Sequence, residues 1–189
     1  FPSTTLFRSC PVISFPFGAD DVRTKVAAAQ DAIAKGADEL DVVINLPAML
    51  SGEFGYVRDE LAAVVRAARL KSVNTGRGHA LVKAIIETCY LSNKLKRLVC
   101  TILGQAGVDF AKTSTGLGPE GATLSDVELL RDCLDEHIGV KASGGIRTLS
   151  DVELMINAGA TRIGTSAGVA IMQEALGQRE ERSSSALPS

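Results

Sequence analysis

Six short apolar runs punctuate the chain: Val12–Phe15, Leu40–Asn45, Leu81–Glu87, Asp109–Thr113, Ile138–Ala142 and Arg162–Thr165. They are rich in Val and Ile, and several are apolar at successive rather than alternate positions. Strands covered on both faces have this pattern. Between the runs, the apolar residues shift to helical spacing. Asp20 or Asp21 heads a segment carrying Val26, Ala29 and Ile33 that ends at Lys35, before Gly36. The stretch from Glu53 to Arg69 presents Val57, Leu61, Val64, Val65 and Ala68 on one face. Ser92 heads a third segment, with Leu95, Leu98, Val99 and Ile102 before Gly107. Ser125 heads a fourth with Val127, Leu130 and Leu134, and Ser150 a fifth with Val152, Met155 and Ile156 before Gly159. A last helix is expected from about Ser166 to about Leu176. Strand and helix thus alternate six times. Most intervals are roughly 24 to 29 residues; a longer one holds the polar insert Lys71–His79. Units of this kind predict an α/β fold with a parallel sheet and helical crossovers, which a doubly wound sheet and a (β/α)8 barrel both satisfy.

Charges interrupt the strands. Lys83 lies in ALVKAIIE, Lys112 in VDFAKTSTG, Lys141 in IGVKASGG and Asp41 in ELDVVIN. An uncompensated buried ammonium costs several kcal/mol or loses its proton. Three lysines and an aspartate on neighbouring strands therefore predict one polar centre, at the C-terminal rim if the sheet closes into a barrel. A purely structural account pairs Asp41 with one lysine and Glu87 with another, which leaves a lysine in excess. A lysine beside a second cation in a partly desolvated pocket supplies a neutral amine for attack on a carbonyl. Two such lysines predict Schiff-base chemistry.

Small residues supply a second signal. SGGIRT (Ser143–Thr148) and IGTSAG (Ile163–Gly168) follow the last two strands and lead into helices, where backbone N–H groups can hold an anion. TSTG (Thr113–Gly116) follows directly on Lys112.

The composition narrows the classes. The chain has 189 residues, with 20 Lys+Arg against 22 Asp+Glu and 46% hydrophobic residues. These values fit a folded domain and give no electrostatic footprint for nucleic acid. No apolar run approaches the roughly 18 residues of a membrane span. Cys10, Cys89, Cys100 and Cys133 are scattered, and with no secretory signal they read as reduced thiols of a cytoplasmic protein. Cys89, beside the polar end of a strand, is the only one with a position that could be near chemistry, and it reads as a partly buried passive thiol. His79 and His137 stand apart in polar contexts, so no metal site is expected.

ELDVVIN, VKAIIETC, DFAKTSTG, GVKASGGIRT and TRIGTSAG, in this order and spacing, resemble the 2-deoxy-D-ribose-5-phosphate aldolases, a class I aldolase family. PVISFPFGA (Pro11–Ala19) resembles that family's third-strand segment, and the likeness runs over roughly residues 11–175. It implies a (β/α)8 TIM barrel in which this chain carries the third to eighth strands. It also implies reversible cleavage of 2-deoxy-D-ribose 5-phosphate to acetaldehyde and glyceraldehyde 3-phosphate, with no cofactor. By the same resemblance Lys112 forms the Schiff base, Lys141 lowers its pKa, and Asp41 relays protons through a water. Lys83 lies near the site. Thr115, Gly144, Gly145, Gly164, Thr165 and Ser166 are assigned to the substrate and its phosphate. The partner is a phosphosugar, with no nucleic acid or membrane, and the family is often a homodimer.

Residues 1–9 fit no element and resemble a translated sequencing adapter, so they are expected to be non-native. Residues 10–176 are expected to form a partial barrel, poorly stable and weakly active or inactive as written, and 177–189 a disordered tail. The competing readings are another class I Schiff-base barrel aldolase, or an inactive phosphosugar-binding barrel fragment.

Overall fold

A computed structural model describes residues 8–76 and 78–185; most of the segment expected to be non-native, and residues 186–189 of the tail, lie outside it. Six parallel strands form one sheet in sequential order: β1 (Val12–Ile13), β2 (Glu39–Val43), β3 (Leu81–Ile85), β4 (Phe110–Lys112), β5 (Gly139–Ser143) and β6 (Arg162–Gly164). Crossing between them are α1 (Val22–Ala34), α2 (Leu46–Leu50), α3 (Phe54–Asn74), α4 (Asn93–Ala106), α5 (Leu124–Cys133) and α6 (Leu149–Asn157), with α7 (Gly168–Ser185) after β6. The alternation read from the sequence is therefore present.

Local chemistry explains most boundaries. Asp21 accepts from Thr24 N at 2.9 Å and caps α1, and Ser92 caps α4 through Leu95 N. Gly107, with φ of 77°, ends α4 in the left-handed conformation that glycine tolerates. Two caps differ from the expected serines. Thr123 caps α5 and Thr148 caps α6, the latter in a reciprocal capping box with Asp151. In both, the acidic residue three positions on favours the threonine, and Ser125 and Ser150 fall inside the first turn. The short α2 was not anticipated; Asn45 caps it and Pro47 stands in its first turn, where a missing N–H costs nothing. The helix begun near Glu53 continues to Asn74, well into the expected insert, and α7 continues to Ser185 rather than ending at Leu176. Gly177–Ser185 is therefore helical, not a loose tail.

The sheet is strongly curled. Asp41 on β2 meets Lys141 on β5 at 2.6 Å, and Glu39 on β2 meets Arg162 on β6 at 3.1 Å. At about 4.8 Å per strand, a flat sheet would separate those backbones by roughly 14 and 19 Å, beyond the reach of these side chains. Curling sorts the residues by parity. Leu40, Val42, Val82, Ala84, Ala111, Val140 and Ala142 face the helices and are fully buried. Glu39, Asp41, Lys83, Phe110, Lys112, Lys141 and Arg162 face the concave side, in register across neighbouring strands. Gly139 makes room there: a Cβ would stand 2.3 Å from the Phe110 ring, over which Arg162 stacks at 5.2 Å.

Two further buried lysines belong to the helix layer. Lys25 of α1 donates to Glu60 of α3 at 2.7 Å and to Val43 O, while Lys96 of α4 pairs with Asp126 of α5. Each ion pair joins neighbouring helices and leaves its lysine no free role.

Candidate functional site

Asp41 is the hub of the concave face. Its Oδ2 accepts from Lys112 at 2.7 Å and from Lys141 at 2.6 Å, and its Oδ1 from Lys83 at 3.1 Å. The register explains the convergence, since Asp41 lies beside Lys83 and Lys112 beside Lys141 on adjacent strands. Burial alone would raise the Asp41 carboxyl, but the hydrogen bonds and charges of Lys112 and Lys141 outweigh it. They hold the carboxyl far below the usual range. Lys141 moves down: burial drives it, Asp41 opposes it, and the charges of Lys112 and Lys83 add to it. Lys83 moves up, because Glu39 and Asp41 overcome its burial.

The pairing expected from the sequence needs one correction. Glu87 does not take a lysine. Lys83 instead pairs with Glu39 at 2.6 Å, and Glu39 in turn holds Arg162. Glu87 accepts from the N–H and hydroxyl of Thr115. The reason is direction: Glu39 lies two residues before Asp41 and shares its face, whereas Glu87 lies beyond the end of β3, at φ of 48°, and turns toward the loop after β4. The signal for Glu39 in the sequence is its place as a period-two neighbour of Asp41.

Cysteine placement also differs from expectation. Cys10, just before β1, has its Sγ 3.1 Å from both Asp41 Oδ1 and Lys83 Nζ. Burial and the Asp41 charge raise its pKa, which makes it a poor nucleophile. Cys89, read from the sequence as a passive thiol, lies 3.9 Å from Glu87 and does not touch the lysine cluster. His79 meets Asp109 at 3.0 Å at the opposite end of β4. Among the described residues, no group of three potential ligands could hold a metal ion.

Above the lysines opens a cavity of about 480 Å³ lined by Lys112, Thr115, Lys141, Gly144, Gly145, Arg147, Gly164, Thr165 and Ser166, among others. Lys112, Lys141, Thr115 and the glycine-loop residues named from the resemblance are therefore brought together, with Lys83 and Asp41 beneath the floor. Gly144 and Gly145 have φ of 86° and 80°, a left-handed turn that other residues enter at a cost. A Cβ on Gly164 would meet Ser143 Cβ at 2.9 Å and Lys141 Cε at 3.3 Å, so glycine clears the lysine's path. Thr165 donates to Ile146 O at 2.7 Å and accepts from Ala167 N at 2.9 Å, tying the last two loops together. Ser143 donates to Ser114 O at 2.6 Å and so locks the loop after β5 to that after β4. The cavity thus has an amine floor and a glycine-loop wall suited to an anion.

These features decide the relationship once set beside known proteins. Residues 7–174 match the family described as DeoC/LacD family aldolase. The chain belongs to this family. It is 50% identical over 167 residues to a deoxyribose-phosphate aldolase of Caldanaerobacter subterraneus, covering 88% of this chain and 70% of the relative. It is 51% identical over 172 residues to deoxyribose-phosphate aldolase 2 of Bacillus licheniformis, covering 91% and 74%. Among solved structures, the aldolase QR15 superposes with a TM-score of 0.84 at 40% identity, covering 94% of this chain and 76% of that one. A deoxyribose phosphate aldolase from Aeropyrum pernix, described as a tetramer, superposes with a TM-score of 0.78 at 35% identity, covering 88% and 67%. No helix among the described residues is long and apolar enough to cross a membrane.

Arg147 was missed as a site residue. It is exposed, lines the cavity beside Gly145 and brings a cation to the wall that the glycine loops form. Its place immediately after SGGI was the available signal. Arg147→Ala is expected to raise KM for a phosphorylated substrate severalfold and to leave kcat nearly unchanged, as for an exposed ion contact remote from the reacting bond. Steady-state kinetics with phosphorylated and unphosphorylated sugar check this, since the latter should show no change.

Proposed function

We propose that this protein is a deoxyribose-phosphate aldolase that cleaves 2-deoxy-D-ribose 5-phosphate reversibly to acetaldehyde and glyceraldehyde 3-phosphate. The observation that carries this reading is the pair Lys112 and Lys141 on one Asp41 oxygen, at the floor of a cavity walled by glycine loops. The family relationship supports it independently. Its six strands are read as the third to eighth of a (β/α)8 barrel, which the sequential parallel order and the curl support. A cytoplasmic location is part of the same reading.

Lys112 is the nucleophile. Lys112 and Lys141 share Asp41 Oδ2 at 2.7 and 2.6 Å, so a second cation stands beside the nucleophile. The neutral amine attacks the C1 aldehyde, giving a carbinolamine that loses water to form an iminium. Acetaldehyde carries off C1 and C2, so the C2–C3 bond is the one that breaks. Its electron pair flows into the iminium, the C3 hydroxyl loses its proton, and glyceraldehyde 3-phosphate leaves an enamine on Lys112. Asp41, through a water, moves protons to and from the reacting atoms. Protonation at C2 and hydrolysis then release acetaldehyde and free the lysine. Gly144, Gly145, Gly164, Thr165, Ser166 and Arg147 hold the phosphate, remote from the breaking bond, and contribute by orientation.

Borohydride reduction in the presence of acetaldehyde tests the assignment, because it traps the iminium without requiring turnover. Mass spectrometry is expected to find one two-carbon adduct on the peptide containing Lys112. An adduct confined to Lys141 or Lys83, or none at all, would overturn it.

A further inference from the structure

Glu87 is an anomaly. Its side chain is buried, with the residue 2% exposed, and among the described residues no lysine, arginine or histidine lies within ion-pair distance of it. It is also one of two non-glycine residues with positive φ among the described residues, at 48°. A buried carboxylate without a cation, on a strained backbone, requires compensation. Nearly all of that compensation comes from Thr115. Both Glu87 oxygens lie 3.2 Å from Thr115 N, and Oε2 also takes the Thr115 hydroxyl hydrogen. Cys89 Sγ, 3.9 Å away, adds a weak contact. The surroundings hold Glu87 in place. Thr88 N donates to Thr113 O at 2.9 Å, and Gly118 packs so closely that a Cβ there would meet Cys89 Sγ at 3.0 Å and Glu87 Cδ at 3.3 Å.

This arrangement fixes the polarity of one cavity-lining group. A threonine hydroxyl has one hydrogen and two lone pairs. Here the hydrogen goes to Glu87, and Leu117 N donates into one lone pair at 3.1 Å. A single lone pair remains, so Thr115 can only accept. We propose that Glu87 is a positioning residue that commits the Thr115 hydroxyl to acceptance and thereby selects a substrate bearing a hydroxyl donor beside the reacting carbon. Thr115 lies on the cavity wall with the amine of Lys112 and the glycine loops. A phosphosugar joined to Lys112 at C1, with its phosphate at those loops, passes Thr115 with its middle carbons. The hydroxyl read there is on C4, which is the 2-hydroxyl of glyceraldehyde 3-phosphate in the synthetic direction. This inference rests on the aldolase reading and adds the recognition of that hydroxyl.

Glu87→Gln is the test, because the amide keeps the shape but has one acceptor oxygen where the carboxylate has two, and its NH2 in the Oε2 place frees the Thr115 hydrogen to point outward. Addition of acetaldehyde is measured with two acceptors, glyceraldehyde 3-phosphate and 3-oxopropyl phosphate, which lacks the hydroxyl. In Glu87→Gln, kcat/KM for the first acceptor is expected to fall about tenfold or more and for the second by less than about twofold. In a Thr115→Val background, the same change is expected to have no effect on the ratio. Equal losses with both acceptors, or an undiminished ratio effect in the Thr115→Val background, would overturn the role of Glu87. If Glu87→Gln does not fold, the Thr115→Ser and Thr115→Val pair carries the test: serine must keep the wild-type ratio and valine must lose it. A wild-type chain that forms no product with either acceptor counts against the aldolase reading, not against Glu87.

Discussion

Lys112→Met is expected to abolish turnover, by a factor on the order of 10⁴ or more, without lowering the melting temperature. The loss follows from removing the only group proposed to bond the substrate covalently. The stability half follows from charge. On the concave face, Lys83, Lys112, Lys141 and Arg162 face only Glu39 and Asp41. A cluster whose cations outnumber its carboxylates, Arg8 at Glu39 included, gains by losing a buried one, and methionine fills nearly the same volume without an ammonium to desolvate. Calorimetry and an aldol-cleavage assay on the same preparation read both effects. A melting temperature that drops by several degrees would mean that Lys112 is a structural partner of Asp41. Retained turnover would assign the Schiff base elsewhere.

Asp41→Asn is expected to do damage of a different kind, lowering both stability and activity. One carboxylate, 2% exposed, accepts from three lysines. Lys83 keeps Glu39, but neutralising Asp41 leaves Lys112 and Lys141 uncompensated in a buried site, a loss of about 3–5 kcal/mol by comparison with other broken buried pairs. The pH dependence has a definite sign. Lys112 and Lys141 hold the Asp41 carboxyl far below its usual range against the opposing effect of burial. A carboxyl depressed in the folded state stabilises fully above its unfolded pKa of about 4 and loses that contribution as pH falls toward the folded value. The stability gap between wild type and Asp41→Asn should therefore be full at neutral pH and shrink below about pH 4. Urea unfolding at pH 7 and pH 3 measures it; an equal gap at both values would deny Asp41 this role.

How much of this was legible in the sequence varies by element. The six βα units were readable because strands covered on both faces and amphipathic helices leave different periodicities. Caps by Asp21 and Ser92 were readable because they act within one turn. Caps by Thr123 and Thr148 were not, since a serine two residues on competes for the same signal. The lysines and Asp41 stood out because charge inside an apolar strand is costly.

The amino-acid sequence by itself determined the alternation of elements, the family and the presence of a polar centre containing Lys83, Lys112, Lys141 and Asp41. These depend on local periodicity, burial cost and residues in register. Only the tertiary structure decided who pairs with whom. Curling the sheet brought Asp41 to Lys141 and Glu39 to Arg162 across intervening strands, and placed Cys10 rather than Cys89 against the lysine cluster. It turned Glu87 away from the lysines and toward Thr115. The physical reason is that an ion pair or hydrogen bond depends on the last few ångströms of approach. Sheet curvature and loop direction set that distance, and neither leaves a periodic trace along the chain.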